Sequence, residues 1–176
     1  MEVGLITAIP YVLAMVGLWY NAKAADRTGR YSTHVLLSMA VGAVALVLSV
    51  ATGDSLPFLA VTLISIAVAG ALAYDGPFWA SASRAMPVAV AGTAMGLINA
   101  VGNLGGFVGP YVGGYLQDLT HGSFLATSIF LACCLLAAGL VMLSLRRGGD
   151  RPVKGGRRQD EYREGALADG ARKRNS

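Results

Sequence analysis

Charge is scarce in this chain of 176 residues, of which Asp, Glu, Lys and Arg make up only 14%. An average soluble domain carries roughly 25%. Most of that charge lies after Leu145, so the preceding sequence is poorer still. Cysteine and histidine are each down to two residues. Cys133 and Cys134 are adjacent, a spacing that suits neither a disulfide nor a metal, so both read as small packing or lipid-facing residues. No Ser/His/Asp, Cys/His, metal-spaced or phosphate-cradling arrangement occurs, so nothing points to an enzyme, a metal or a cofactor. No Lys or Arg precedes Lys23, and the start therefore lacks the basic segment that opens a secretory signal.

What fills the space is apolar sequence, 55% of the chain, with a mean hydropathy of +0.56. It comes in blocks: Gly4–Tyr20, Val35–Thr52, Leu56–Tyr74, Thr93–Tyr115 and Phe124–Leu145. Each lies near the ~20 residues a helix needs to cross ~30 Å of hydrocarbon. Too little polar surface remains to cover five such blocks in water. The expected fold is therefore all-α: a polytopic membrane protein with five transmembrane helices over residues 1–146, followed by a tail. The tail, residues 147–176, is rich in glycine and charge and poor in apolar residues, so it is expected to be disordered. Its basic character marks a cytoplasmic end drawn to the inner leaflet rather than a nucleic-acid site.

Orientation follows from where the cations fall. Lys23, Arg27, Arg30 and Arg84 lie in the first and third connectors, Asn21–His34 and Asp75–Gly92, and every other Lys and Arg lies from Arg146 onward. The connectors Gly53–Ser55 and Leu116–Ser123 hold only Asp54, Asp118 and His121 among ionisable residues. All fourteen basic residues thus fall on one face, which the positive-inside rule assigns to the cytoplasm. The amino terminus is then expected outside, in a cytoplasmic (inner) membrane.

The stretch Asn99–Tyr115, "NAVGNLGGFVGPYVGGY", carries the chain's unusual features. In lipid, helices associate by close contact at small residues. Gly105, Gly109 and Gly113 recur every four residues, as do Gly102 and Gly106, so two strips of one helix lack side chains. Pro110 kinks or loosens the helix where a neighbour can re-satisfy the freed carbonyl. On this reading Gly109 is a packing residue and the isolated Gly42 is not. The amides of Asn99 and Asn103 stand one turn apart on one face, and a polar group within a span is by default a functional-site candidate. Interhelical hydrogen bonding is the alternative. The first block places Thr7 and Tyr11 beside Pro10, a pattern found at transporter binding sites. Asp75 is expected at the cytoplasmic interface, with Gly76-Pro77 marking a local break.

The connector "NAKAADRTGRYS" resembles the cytoplasmic loop signature of the major facilitator superfamily. Asp26, Arg27, Gly29 and Arg30 match it, and Ala22 stands where a glycine is usual. With "GLITAIPY", "GPFWA" and "GLINAVGNLGGFVGPYVGGYLQD", residues 3 to about 146 resemble the anion:cation symporter branch. The resemblance implies a secondary transporter that carries organic anions with protons. It places the five spans as helices eight to twelve of a twelve-helix carrier, so a missing amino-terminal half is an expected partner. Asn99 and Asn103 are expected to line the substrate path, with Thr7 and Tyr11 on the neighbouring first span, and the resemblance implies that Asp26 braces a helix of the other half. A small, non-transporting membrane interaction or assembly module is the alternative. Topology is open to direct test. A reporter active only in the cytoplasm is expected to work when fused after Ser176 and to fail after Asp118; equal activity at both positions would overturn the five-span arrangement.

Overall fold

The computed structural model describes the backbone of residues 2–52 and 56–145 and the side chains of residues 10–52 and 56–145. The side chain of Thr7, the connector Gly53–Ser55 and the tail from 146 to 176 lie outside the described residues. Six helices make up the fold: α1 (Glu2–Thr28), α2 (Tyr31–Ala51), α3 (Pro57–Leu72), α4 (Asp75–Ala85), α5 (Val88–Leu119) and α6 (Phe124–Ser144). No strand occurs among the described residues. The all-helical class is as the composition requires. α3 and α4 form one rod from Pro57 to Ala85, and this rod, α2, α5 and α6 are each long and apolar enough to span a membrane. α1 is the fifth rod, 27 residues long, or about 40 Å at ~1.5 Å per residue.

The connectors are shorter than the charge pattern suggested. Asp75–Gly92, expected to be a loop, is helix except at Met86 and Pro87, where Met86 is extended (φ −111°, ψ 142°). The residue before a proline is sterically pushed out of the helical region, so one Pro suffices to end α4. The break near Gly76-Pro77 is real but falls at Ala73–Tyr74. Pro77 itself sits in the first turn of α4, where no helical N–H is lost. The α1–α2 connection is a tight turn. Gly29 of the loop signature has φ +67°, a left-handed conformation in which a side chain is strained, and its N–H reaches the Ala25 carbonyl at 2.8 Å.

α2 is the central helix, packed between α3 and α6, with α1 lying on α3. Its buried face consists largely of small residues, including Ser38, Gly42, Ala43, Ala45 and Ser49. Such a face lets backbones approach, which is how helices cohere without a hydrophobic drive between them. The approach is closest where Gly42 meets Gly70. A Cβ added at Gly70 would lie 2.6 Å from the Gly42 nitrogen, and one added at Gly42 2.9 Å from the Ala71 nitrogen. Gly139 makes the matching contact of α6 with Leu36 of α2. Three of the buried serines return their hydroxyls to their own helix, Ser38 to the Val35 carbonyl at 3.0 Å, Ser49 to Leu46 at 2.7 Å and Ser65 to Val61 at 2.8 Å, which satisfies those groups without spreading the helices. Asn21 of α1 donates to the Ala73 carbonyl at 2.8 Å, where α3 ends, satisfying one of the acceptors that every helix terminus leaves free.

Among the described residues, all but one of the glycines in the expected strips pack against nothing. A Cβ at Gly102, Gly105, Gly106 or Gly109 would meet no atom within 4 Å, and only Gly113 touches a neighbour, Thr127 of α6 at 3.2 Å. The Thr127 hydroxyl also donates to the Gly113 carbonyl at 3.1 Å. Pro110 is exposed within an unbroken α5. The ranking of Gly109 above Gly42 as a packing residue is therefore reversed, because sequence periodicity reports a bare helix face and not which helix lies on it. The Asp26 expectation changes as well. Its Oδ1 accepts from the Tyr31 hydroxyl at 2.8 Å and lies 3.8 Å from Arg84 of α4, whose guanidinium covers the Tyr31 ring at 4.5 Å. Asp26 thus braces α4 within the same set of helices. Replacing Gly70 with leucine is expected to cost at least the ~1–3 kcal/mol typical of overpacking, with Gly109→Leu within about 0.5 kcal/mol of the parent. Thermal unfolding in detergent and protease sensitivity in membranes measure the difference, and greater damage from Gly109→Leu would contradict the structure.

Candidate functional site

α5 is 32 residues long and buries one residue, Gly113. Joined to α4 at Pro87 and tied to α6 at Gly113, it leaves its middle standing off the bundle. Between α5 and the face formed by α2, α4 and α6 lies a cavity of about 530 Å³, within the ~300–1,000 Å³ of small-molecule sites. Asn99 and Asn103 both line it, as one helical face requires. They stand about 16 and 22 Å along α5 from Val88 at ~1.5 Å per residue, in the middle of the rod.

The opposite wall comes from α4. Asp75, half-buried, lines the cavity with Tyr74, Phe78 and Trp79. The Trp79 indole N–H donates to Asp75 Oδ1 at 2.9 Å, a bond that the i, i+4 spacing on one helix makes possible. Phe78 packs edge-on against both Tyr74 and Trp79, with centroids 6.1 and 5.2 Å apart, which holds the indole in place. Val35 and Met39 of α2 and Met142 of α6 supply the apolar remainder. No Lys or Arg lines the cavity. It therefore offers one carboxylate, two amides and an aromatic edge, a set suited to hydrogen-bonded recognition of a small polar molecule.

Asp75 is the residue that sequence reasoning placed differently. It was expected at the interface; along the helix it lies nine positions before Arg84, about 13 Å away, and it lines the cavity, a role the sequence did not assign to it. The missed signal was the pair Asp75 and Trp79 at i, i+4, which on an α4 that continues past Gly76-Pro77 put both groups on one side. Tyr11 is not brought to the amides. It is 66% exposed on α1, which packs on α3 and lines no part of this cavity. A second hollow of about 570 Å³ near Leu13, Trp19 and Leu37 is almost wholly apolar. Its polar residues Asn21 and His34 already bond to each other, Asn21 Oδ1 lying 3.0 Å from His34 Nδ1. That hollow presents little to a polar ligand.

The chain matches the Major Facilitator Superfamily over residues 1–173. It belongs to that family. Two proteins of Agrobacterium vitis assigned as tartrate transporters are 33% and 32% identical to it, over 87% and 89% of this chain. A quinolone resistance transporter of Acinetobacter baumannii is 30% identical over 80% of this chain. The chain spans about a third of the length of these relatives: 33%, 35% and 32%. No solved structure matches it closely. Its relatives are transporters, and its described helices make it an integral membrane protein. The cavity geometry is checked by thiol accessibility. With Cys133 and Cys134 replaced by alanine, Asn99→Cys and Asn103→Cys are expected to react with a membrane-impermeant maleimide at least tenfold faster than Tyr11→Cys. Equal rates at the three positions would remove the cavity from the aqueous path.

Proposed function

We propose that this chain is the carboxy-terminal portion of a proton-coupled secondary transporter of organic anions, with Asn99 and Asn103 on the substrate path. The observation that carries this reading is the amide pair of α5 facing a cavity in the middle of the bundle. Both amides are exposed on α5 and open to the cavity, so their donors and acceptors are available to a polar solute. The tartrate assignment of two relatives supports an organic anion as the transported species. The loop signature and the long α5 motif resemble a branch whose members move such anions with protons.

Most of α5 is uncovered: Phe107 and Tyr111 are 76% and 71% exposed, and the glycines between Gly92 and Gly109 meet no neighbour. The chain covers about a third of its relatives, and the remaining helices of such a carrier supply the second wall of the cavity in this proposal. Its orientation in this proposal has the amino terminus outside and the carboxy terminus in the cytoplasm, a reading that the cation distribution supports. The same bare small-residue strips favour the second reading, a membrane module that docks on other helices without transporting.

Uptake separates the two. In a carrier completed by the amino-terminal helices of a relative, Asn103→Leu is expected to abolish uptake of an organic acid while the protein still inserts and folds. A purely structural amide would instead lower the amount of folded carrier and leave uptake per molecule unchanged. An uptake-competent carrier unaffected by Asn103→Leu and Asn99→Leu would take both amides off the path.

A further inference from the structure

The cavity holds a group that an anion path does not need. A fixed carboxylate repels a second carboxylate brought to contact distance, most strongly where water is limited. Asp75 nevertheless lines the same cavity as the two amides, and no Lys or Arg among the lining residues offsets it. Among the described residues it makes no ion pair, the one salt bridge being Arg84 with Asp26. Its Oδ1 is held by the Trp79 indole, and its Oδ2 accepts no hydrogen bond from any described residue. A carboxylate fixed on one oxygen and open on the other is an acceptor aimed at a donor.

We propose that Asp75 recognises the hydrogen-bond-donor group, a hydroxyl or ammonium, of the organic acid that occupies this cavity. The proposal rests on the reading of the cavity as the substrate path. An ionised carboxylate accepts and cannot donate, whereas each asparagine amide offers two N–H donors and one acceptor. The two walls therefore divide the work. Asn99 and Asn103 donate to the carboxylate end of the substrate, and Asp75 accepts from the hydroxyl or ammonium on its carbon skeleton. A hydrogen bond to a charged group is about twice as strong as a neutral one. A site built around one also discriminates against the analogue that lacks the donor, since the half-buried acceptor then loses its partner. The site is thus specific for hydroxylated or aminated acids over plain ones.

Trp79 reports on the contact directly, because its indole is bonded to Asp75. The chain has two tryptophans, and Trp19→Phe leaves Trp79 as the sole emitter. The full chain in lipid nanodiscs is titrated with tartrate, with aspartate, and with succinate, which has the same four-carbon diacid skeleton but no donor. Tartrate or aspartate is expected to perturb Trp79 emission with an affinity at least tenfold better than succinate. Asp75→Asn is expected to bring the three within about twofold, and Asp75→Glu to restore the preference. Succinate binding as well as the other two in the parent chain overturns the proposal, a comparison that stands even if Asp75→Asn does not insert. Retained preference in a folded Asp75→Asn overturns it too, as does a change confined to the pH dependence of binding, which would make Asp75 a proton site. Equal binding of all three that Asn103→Leu abolishes leaves the path standing and removes only the role of Asp75. No response to any of them, by the chain alone and by the carrier completed with a relative's amino-terminal helices, removes both.

Discussion

The arrangement rests on one contact, the meeting of two backbones where Gly42 of α2 faces Gly70 of α3. Apolar side chains gain almost nothing by leaving lipid for each other. Cohesion must then come from van der Waals contact at short range, and contact at a Cβ-free position is the closest available. A Cβ at Gly70 would lie 2.6 Å from the Gly42 nitrogen, where no side chain fits. That approach sets the position of the rod from Pro57 to Ala85, and so of Asp75 and Trp79, which follow Gly70 along it. The Asp26–Tyr31–Arg84 cluster fastens the same end from the α1–α2 turn. Tyr31 is fully buried there, so the aromatic ring, more than the exposed ion pair, carries the contact.

α5 obeys a different rule. It is held at Gly113 by Thr127 and shows its middle to open space. Glycines that would weaken a helix in water are tolerated in lipid, where the backbone has no competing partner and must bond to itself. A helix so little covered along its middle, with two amides toward the cavity, suits a wall rather than a core. The cavity exists because α5 stands away from α4 while α2 and α6 close behind it. Its carboxylate and its amides come from different helices, and the space between them matches a small molecule.

The family relationship and this geometry bear on different questions. Membership of the superfamily rests on the match along residues 1–173 and says that the relatives are transporters. Which chemistry the cavity prefers depends on side chains that the family label does not specify, foremost Asp75. Asp26 illustrates the same separation. The loop signature singled it out, while its contacts with Tyr31 and Arg84 emerged only from the packing.

Much was legible from residue order alone. Apolar blocks of membrane-spanning length, separated by short polar turns, required helices, since only helices and closed barrels satisfy every backbone group in lipid. Asn99 and Asn103 were placed on one face by the 3.6-residue period, and that face does line the cavity. Gly29 was marked by the loop signature and takes the left-handed conformation that such a turn requires. What the tertiary structure decided was which surfaces meet. Gly42, isolated in sequence, became the closest contact, while Gly109 in its regular strip faces open space. Tyr11 and Asp75 exchanged importance for the same reason. Periodicity determines what one helix presents, because it follows from local backbone geometry. Which neighbour fills that face depends on long-range contacts between segments distant in the chain, and no local spacing encodes them.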